Sequence, residues 1–193
     1  MFTQIRPAIV ATVFFTLLLG VVYPLAVTGI AGLAFPFQAG GSLVRDGGKV
    51  VGSALIGQPF AAPQYLHPRP SAAGKGYDAS ASSGSNYGPM NPDLIAREKT
   101  DAQAVRDANG GVRPTADSVT TSGSGLDPDI SPAYAAIQAA RVAAARGVSR
   151  DQVQGVINTL TQGPVLGFLG QPRVNVLMVN RALDARFPPP ARP

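Results

Sequence analysis

Residues 8–27 read AIVATVFFTLLLGVVYPLAV, an apolar stretch without a charged side chain. At a helical rise of 1.5 Å per residue, a stretch of this length extends about 30 Å, which matches the hydrocarbon thickness of a bilayer. Pro7 suits the first turn of a helix, whereas Pro24 is expected to kink the helix or to end its regular part. The sequence therefore predicts one transmembrane helix over residues 7–30.

The charges that flank this segment predict its orientation. Arg6 and the α-amino group precede it without an acidic residue, and the next basic residue, Arg45, is followed at once by Asp46. Positive charge favours the cytoplasmic side, so residues 1–6 are expected in the cytoplasm and the bulk of the chain outside it. The alternative is a cleaved signal peptide, but its apolar region would have about 7–15 residues, whereas this one stays apolar to Phe37.

Small residues recur at every fourth position of the predicted helix, namely Ala8, Thr12, Thr16 and Gly20. In lipid, such a row lets the backbone of another helix approach closely, and close packing stabilises the pair. We expect this row to contact a partner helix; the alternative is that it faces lipid. No ionisable residue lies within the span, so the helix alone is not expected to relay ions or protons.

The composition excludes several classes of protein. The chain of 193 residues is 45% hydrophobic and only 14% charged, and it contains no Cys and one His. These counts exclude disulfides, thiolate catalysis and metal sites built from Cys or from several His residues. The net charge of +5 comes from basic residues that are spread along the chain, so no nucleic-acid partner is expected.

The remainder, residues 38–193, is long enough for one core and predicts an extracytoplasmic α+β domain with a small sheet and about four helices. Residues 46–48 are typical of a hairpin turn, and residues 63–92 have the Gly, Ser, Pro and Ala content of a long irregular loop. N-caps and Gly or Pro stops place the helices at residues 92–108, 131–147, 149–163 and 175–186. The start of the last of these helices is equally compatible with a strand.

Catalytic patterns are absent from the sequence. No Ser has the neighbours of a nucleophile elbow or of a Ser-x-x-Lys site, and no P-loop occurs. His67 precedes Pro68 and is interpreted as a structural histidine, not as a general base. Asp127 and Asp129 resemble half of a hard-cation site, but we favour an Asp-Pro turn. No catalytic residue and no metal ligand is therefore predicted, and a secreted Ser hydrolase is disfavoured.

Two Gly- and Ser-rich loops contain the candidate site. Their Gly and Ser residues offer backbone N–H groups and positive φ, which suit anion nests or close contact with another backbone, although tight turns alone have the same composition. We predict these loops to contact a partner. The candidate residues are Arg69, Ser71, Gly84, Ser85 and Asn86 in the first loop and Ser122, Ser124 and Asp127 in the second.

Several short motifs follow one another in a specific order and spacing. They are Arg6-Pro7-Ala8, Tyr23-Pro24, GSALIGQ at 52–58, Arg69-Pro70-Ser71-Ala72, SGSN at 83–86, SGSGLD at 122–127 and GQPRVNVL at 170–177. Together they resemble, over nearly the whole chain, the C-subunit family of the bacterial Kdp potassium-transporting P-type ATPases. The sequence departs from the family at three positions: Leu66 stands where an aromatic residue is usual, Asp129 where His is common and Met178 where Glu is common.

The resemblance implies a non-catalytic, single-pass subunit of a high-affinity potassium pump in the inner membrane of the cell. Its implied partners are a channel-like potassium-binding subunit, an ATP-hydrolysing P-type subunit and the lipid bilayer. The family is described as a catalytic chaperone that raises the ATP affinity of the hydrolysing subunit, so ATP is attributed by resemblance alone. No cofactor-binding residue is assigned, because residues 1–6 are too few to form an ATP site. The alternative is a membrane-anchored exported binding protein that acts alone.

Overall fold

The computed structural model describes residues 2–189. The chain divides into two compact units, whose boundary falls between Val51 and Gly52. Met1, the first residue of the predicted cytoplasmic tail, lies outside the described residues. So do residues 190–193, the last four of the predicted domain. A short 3-10 turn, Phe2–Gln4, leads into the first helix.

The first unit is dominated by a helix of 30 residues, α1 (Ile5–Ala34). Its mean hydropathy over the most apolar window is 2.3, and by length and composition it is able to cross a membrane. None of its residues is buried within the described chain, as expected for side chains that face lipid or another protein. The helix therefore extends beyond both ends of the predicted span, residues 7–30.

Pro24 does not end the helix. The turn before it, Leu18–Val22, is π-helical, and α-helical geometry resumes over Tyr23–Ala34. A proline lacks the N–H that would bond the carbonyl four residues earlier, here that of Gly20, and its ring crowds that carbonyl. The wider π turn relieves the crowding, so the helix continues through the proline with only a local change in geometry.

A short helix, α2 (Pro36–Ala39), and a two-stranded hairpin follow. The strands are β1 (Leu43–Asp46) and β2 (Lys49–Ser53), which confirms the hairpin turn predicted around Gly47 and Gly48. Both glycines have positive φ, +53° and +82°. This is the backbone conformation that a two-residue type I′ turn requires.

After the end of β2, the second unit continues as a long irregular segment in which the only regular element is a 3-10 turn, Ala79–Ala81. It leads to α3 (Pro92–Ala108) and the short helix α4 (Ala116–Val119), which pack against each other. Both predicted ends of α3 are confirmed. The helix has no buried residue, because it lies on the surface of the domain.

The centre of the domain consists of three helices and three short strands. Each predicted N-cap forms: the Ser131 hydroxyl accepts the N–H of Tyr134, and Ser149 and Gln152 form the capping box. The third predicted helix ends at Leu160, earlier than expected, because the chain continues as a strand. In chain order the elements are β3 (Asp129–Ile130), α5 (Pro132–Arg146), α6 (Arg150–Leu160), β4 (Thr161–Gln162), β5 (Arg173–Asn175) and α7 (Val176–Arg186).

The last predicted helix is partly strand, because Asn175 belongs to β5 and also caps α7. The strand order is β3-β5-β4 and both pairs are antiparallel, with Ile130 and Thr161 each opposite Val174. The three helices pack on this sheet around one core, which confirms the α+β class. The core residues include Leu66, Ile130, Tyr134, Val142, Val153, Ile157, Val174, Val179 and Leu183.

Candidate functional site

The structure brings the two Gly- and Ser-rich loops together. Residues 69–86 and 120–127 contact each other, and we refer to them as the Gly-Ser cluster. The Ser83 N–H donates to the carbonyl of Ser124 at 3.0 Å, and the Ser82 hydroxyl donates to the same oxygen at 2.9 Å. The sequence predicted that both loops contribute to a contact surface, but it did not predict the hydrogen bonds that join them.

An ion pair joins the two loops. Arg69 Nη1 lies 3.0 Å from Asp127 Oδ2, and the Arg69 guanidinium also donates to the carbonyls of Thr120 and Thr121. The other carboxylate oxygen of Asp127 accepts the N–H of Asp129 at 3.0 Å, which is the geometry of an Asx turn. The turn that was favoured for these two aspartates is therefore confirmed. Asp127 closes a turn and holds Arg69 in place.

Ser71 connects three parts of the Gly-Ser cluster. Its hydroxyl donates to the carbonyl of Gly125 at 2.5 Å and accepts the N–H groups of Ala73 and Tyr77 at 3.2 and 2.8 Å. The Tyr77 hydroxyl in turn donates to the Arg69 carbonyl, and burial raises the pKa of Tyr77 to about 12. The polar groups of Ser71 and Tyr77 are thus used within the domain.

Glycines allow the close approach of the two loops. A Cβ atom on Gly84 would lie 3.2 Å from the Gly123 carbonyl oxygen, and Gly125 is buried with φ +66°. The second loop also has its own hydrogen bonds, because Ser124 Oγ accepts the N–H of Leu126 and lies 3.3 Å from Ser122 Oγ. Gly84, Ser122 and Ser124 therefore shape the Gly-Ser cluster through contacts within it, although the Ser124 residue is exposed.

Ser85 and Asn86 differ from the other candidate residues. Ser85 is half-buried and Asn86 is exposed, and neither side chain has a hydrogen-bond partner among residues 2–189. Asn86 has φ +53°, a conformation that Asn tolerates better than most side chains. Its amide is therefore available for another molecule, and the partner contact predicted for these loops remains a prediction.

A polar groove of about 330 Å³ lies beside the Gly-Ser cluster. Each carboxylate in it is already engaged: Asp129 pairs with Arg173 at 3.2 Å, and Asp117 accepts the N–H and hydroxyl of Ser131. Burial raises the pKa of Asp129, which opposes its use as a charged ligand. Within residues 2–189, no group of three or more His, Asp or Glu residues is arranged to hold a metal ion.

Two buried amides that the sequence did not single out as site residues hold the start of the first loop. Asn180 Oδ1 accepts the Leu66 N–H at 2.7 Å, while its Nδ2 donates to the Leu66 carbonyl at 3.0 Å. Gln138 binds the N–H and carbonyl of His67 in the same way, at 2.8 and 3.1 Å. An irregular segment thereby satisfies its backbone groups inside the core, just before Arg69.

His67 has the structural role that the sequence predicted. Its Nε2 lies 3.2 Å from the Ala62 carbonyl oxygen. Burial and the nearby Arg141 charge lower its pKa, so the ring is neutral at pH 7. His67 and Asp101 both line a second groove, of about 360 Å³, but the Asp101 carboxylate forms an ion pair with Arg97.

The row of small residues on α1 is open to a partner. Ala8, Thr12, Thr16 and Gly20 are all exposed, and a Cβ atom on Gly20 would meet no atom within 4 Å. Close packing against another helix at this row is sterically possible. It remains a prediction.

Comparison with known proteins gives similarities along the chain. Residues 5–185 match the family described as "KdpC: K+-transporting ATPase, c chain". The chain is 69% identical over 189 residues to a potassium-transporting ATPase KdpC subunit of Caulobacter sp. (strain K31), which covers 97% of this chain and 96% of the relative. Proteins of the same name from Beijerinckia indica and Rhodospirillum rubrum are 60% and 53% identical, over 97% of this chain and 96% and 98% of their own lengths.

Proposed function

Since the chain belongs to the KdpC family, the c chain of potassium-transporting ATPases, we propose that it is a membrane-anchored accessory subunit that assembles and stabilises a high-affinity potassium pump. Its proposed partners are the channel-like potassium-binding subunit and the ATP-hydrolysing subunit. The observation that carries the proposal is the similarity over 97% of the chain to a protein named as a subunit of that ATPase.

A non-catalytic role fits the chemistry of the second unit. The side chains of Arg69, Ser71 and Asp127 form hydrogen bonds that join loops of this same chain. The His67 ring is neutral and lies beside a backbone carbonyl. These groups stabilise a defined surface, which is the task of a binding subunit.

The proposed orientation limits how the subunit acts on ATP. With the N-terminus in the cytoplasm, only the six residues before Pro7 lie on the side where ATP is hydrolysed. We therefore propose that any rise in ATP affinity arises through assembly with the hydrolysing subunit. No nucleotide site is assigned to this chain.

A reporter fused after Pro193 tests the orientation. We expect activity from a reporter that works only in the periplasm, because Arg6 is the only charged side chain before the apolar span. A reporter that works only in the cytoplasm should be inactive at the same position. The reverse result would show that the second unit is cytoplasmic.

Co-purification of the tagged chain with the other ATPase subunits tests the assembly. The same measurement with the variant Gly20→Leu tests whether the row of small residues contacts a partner helix. The variant keeps α1 apolar and able to insert, but it separates the backbones of packed helices. We expect less of the partner subunits to be recovered, with normal membrane insertion.

Val22→Leu is the matched control, because it also enlarges an exposed side chain in the same π turn. If Gly20→Leu and Val22→Leu recover the partners equally well, the row faces lipid. If the unmodified chain recovers no partner subunit, the proposed function itself is wrong.

A further inference from the structure

The loop between β4 and β5 presents large apolar side chains on its outside. We call residues 164–169 the apolar tip. Val165, Leu166, Phe168 and Leu169 are 56, 79, 74 and 51% exposed. Exposed apolar side chains are ordinary when they are scattered, but a contiguous group marks an interaction site. These four lie within five consecutive residues.

The apolar tip has a defined conformation. Val165 and Leu169 exchange two backbone hydrogen bonds of 2.8 and 2.9 Å, and the Gly167 N–H donates to the Pro164 carbonyl at 3.1 Å. Leu166 has φ +55°, a backbone conformation that a leucine rarely adopts. Such conformations cluster at binding sites, where they place a side chain in advance. The tip therefore presents Leu166 and Phe168 without the entropy cost of ordering a mobile loop.

The uncharged sequence on both sides of the apolar tip favours a protein partner over a lipid surface. Residues 152–172 contain no Asp, Glu, Lys or Arg. Segments that bind a membrane surface combine apolar residues with Lys or Arg that attract anionic lipids. The next basic residue, Arg173, forms an ion pair with Asp129 at 3.2 Å. An uncharged projection of this kind is complementary to an uncharged apolar pocket.

We infer that the apolar tip inserts into an uncharged, apolar pocket on another protein subunit of the ATPase. The inference rests on the proposed function, because it requires that the chain assembles with other subunits. Leu166 and Phe168 are the anchoring side chains, since they are the most exposed of the four. Buried aromatic and aliphatic anchors carry most of the binding energy in protein interfaces.

Photo-crosslinking in the assembled complex tests the inference. A photoreactive benzoylphenylalanine replaces Phe168 in the full chain, which is expressed together with the other subunits. We expect a covalent product with another protein subunit. Benzoylphenylalanine in place of Val112, a residue that is 38% exposed in a different loop, should give no such covalent product. Crosslinks at position 168 to lipid alone, or to nothing while the subunits still co-purify, would overturn the inference.

A double variant, Leu166→Asn and Phe168→Ser, measures the effect on assembly. Asn tolerates the positive φ at position 166, and both side chains are exposed, so the melting temperature of the full chain should not change. Recovery of partner subunits should fall about tenfold, whereas Val112→Ser should leave it unchanged. Recovery equal to that of the unmodified chain would overturn the inference. If the unmodified chain recovers no partner subunit, the proposed function is wrong, and with it the inference that depends on it.

Discussion

The substitution Gly125→Ala should lower the free energy of unfolding of the second unit by about 3 kcal/mol. Its Cβ atom would lie 2.5 Å from the Ser83 carbonyl oxygen and 2.7 Å from the Ala73 nitrogen. Both are backbone atoms of the facing loop, so neither can rotate away. The φ of +66° adds a conformational cost for any side chain. The measurement is thermal unfolding of residues 38–193, followed by circular dichroism.

Gly123→Ala is the matched control, because it lies in the same loop and a Cβ atom there would meet nothing within 4 Å. We expect it to change the free energy of unfolding by less than about 0.5 kcal/mol. The potassium requirement for growth should rise for Gly125→Ala and stay normal for Gly123→Ala. Equal melting of the two variants would mean that the two loops of the Gly-Ser cluster do not pack together in solution.

The elements that the sequence predicted correctly depend on residues close together in the chain. The Ser131 and Ser149 caps satisfy N–H groups within three residues of themselves, and Gly47-Gly48 sets the backbone of its own turn. The apolar length of α1 is likewise a local property. Hence the helix starts, the hairpin and the apolar span were predictable from the sequence alone.

The contacts that build the candidate site join residues far apart in the chain. Ser71 binds Gly125, 54 positions away, and Asn180 binds Leu66, 114 positions away. Composition describes each loop as flexible and polar, but it does not say which carbonyl a given hydroxyl will reach. An amide on an apolar helix face, Gln138 on α5 or Asn180 on α7, was the local sign that a buried backbone segment needed a partner.

Sequence reasoning also missed a buried cation. Arg146 is fully buried: its Nη2 lies 2.8 Å from Asp184 Oδ1, and Nε and Nη1 donate to the carbonyls of Gln64 and Phe187 at 2.8 and 2.7 Å. Its guanidinium also lies over the Tyr65 ring, 5.3 Å from the centroid. The residue thus links the end of α7 to the segment that leads into the Gly-Ser cluster.

Asp184→Ala should therefore lower the free energy of unfolding of the second unit by about 1–3 kcal/mol, because it removes the counterion of the buried Arg146 guanidinium while the Asp184 carboxylate itself is 41% exposed. The pair should also show coupling. Arg146→Met with Asp184→Ala should lose less stability than the sum of the two single losses, by about 1–3 kcal/mol, since the double variant buries no uncompensated charge. Chemical unfolding of the four proteins of this cycle, each as residues 38–193, measures the coupling energy directly.

Asp101→Ala provides the control, because the Arg97–Asp101 pair is a longer contact of 3.7 Å between two half-buried side chains one turn apart on α3. Burial raises the pKa of Asp101 despite the opposing effect of Arg97, so this ion pair does not outweigh the cost of burying the carboxylate. We expect a change of less than about 0.5 kcal/mol. If Asp184→Ala were as mild as Asp101→Ala, the carbonyls of Gln64 and Phe187 would be sufficient to hold the Arg146 charge without its ion pair.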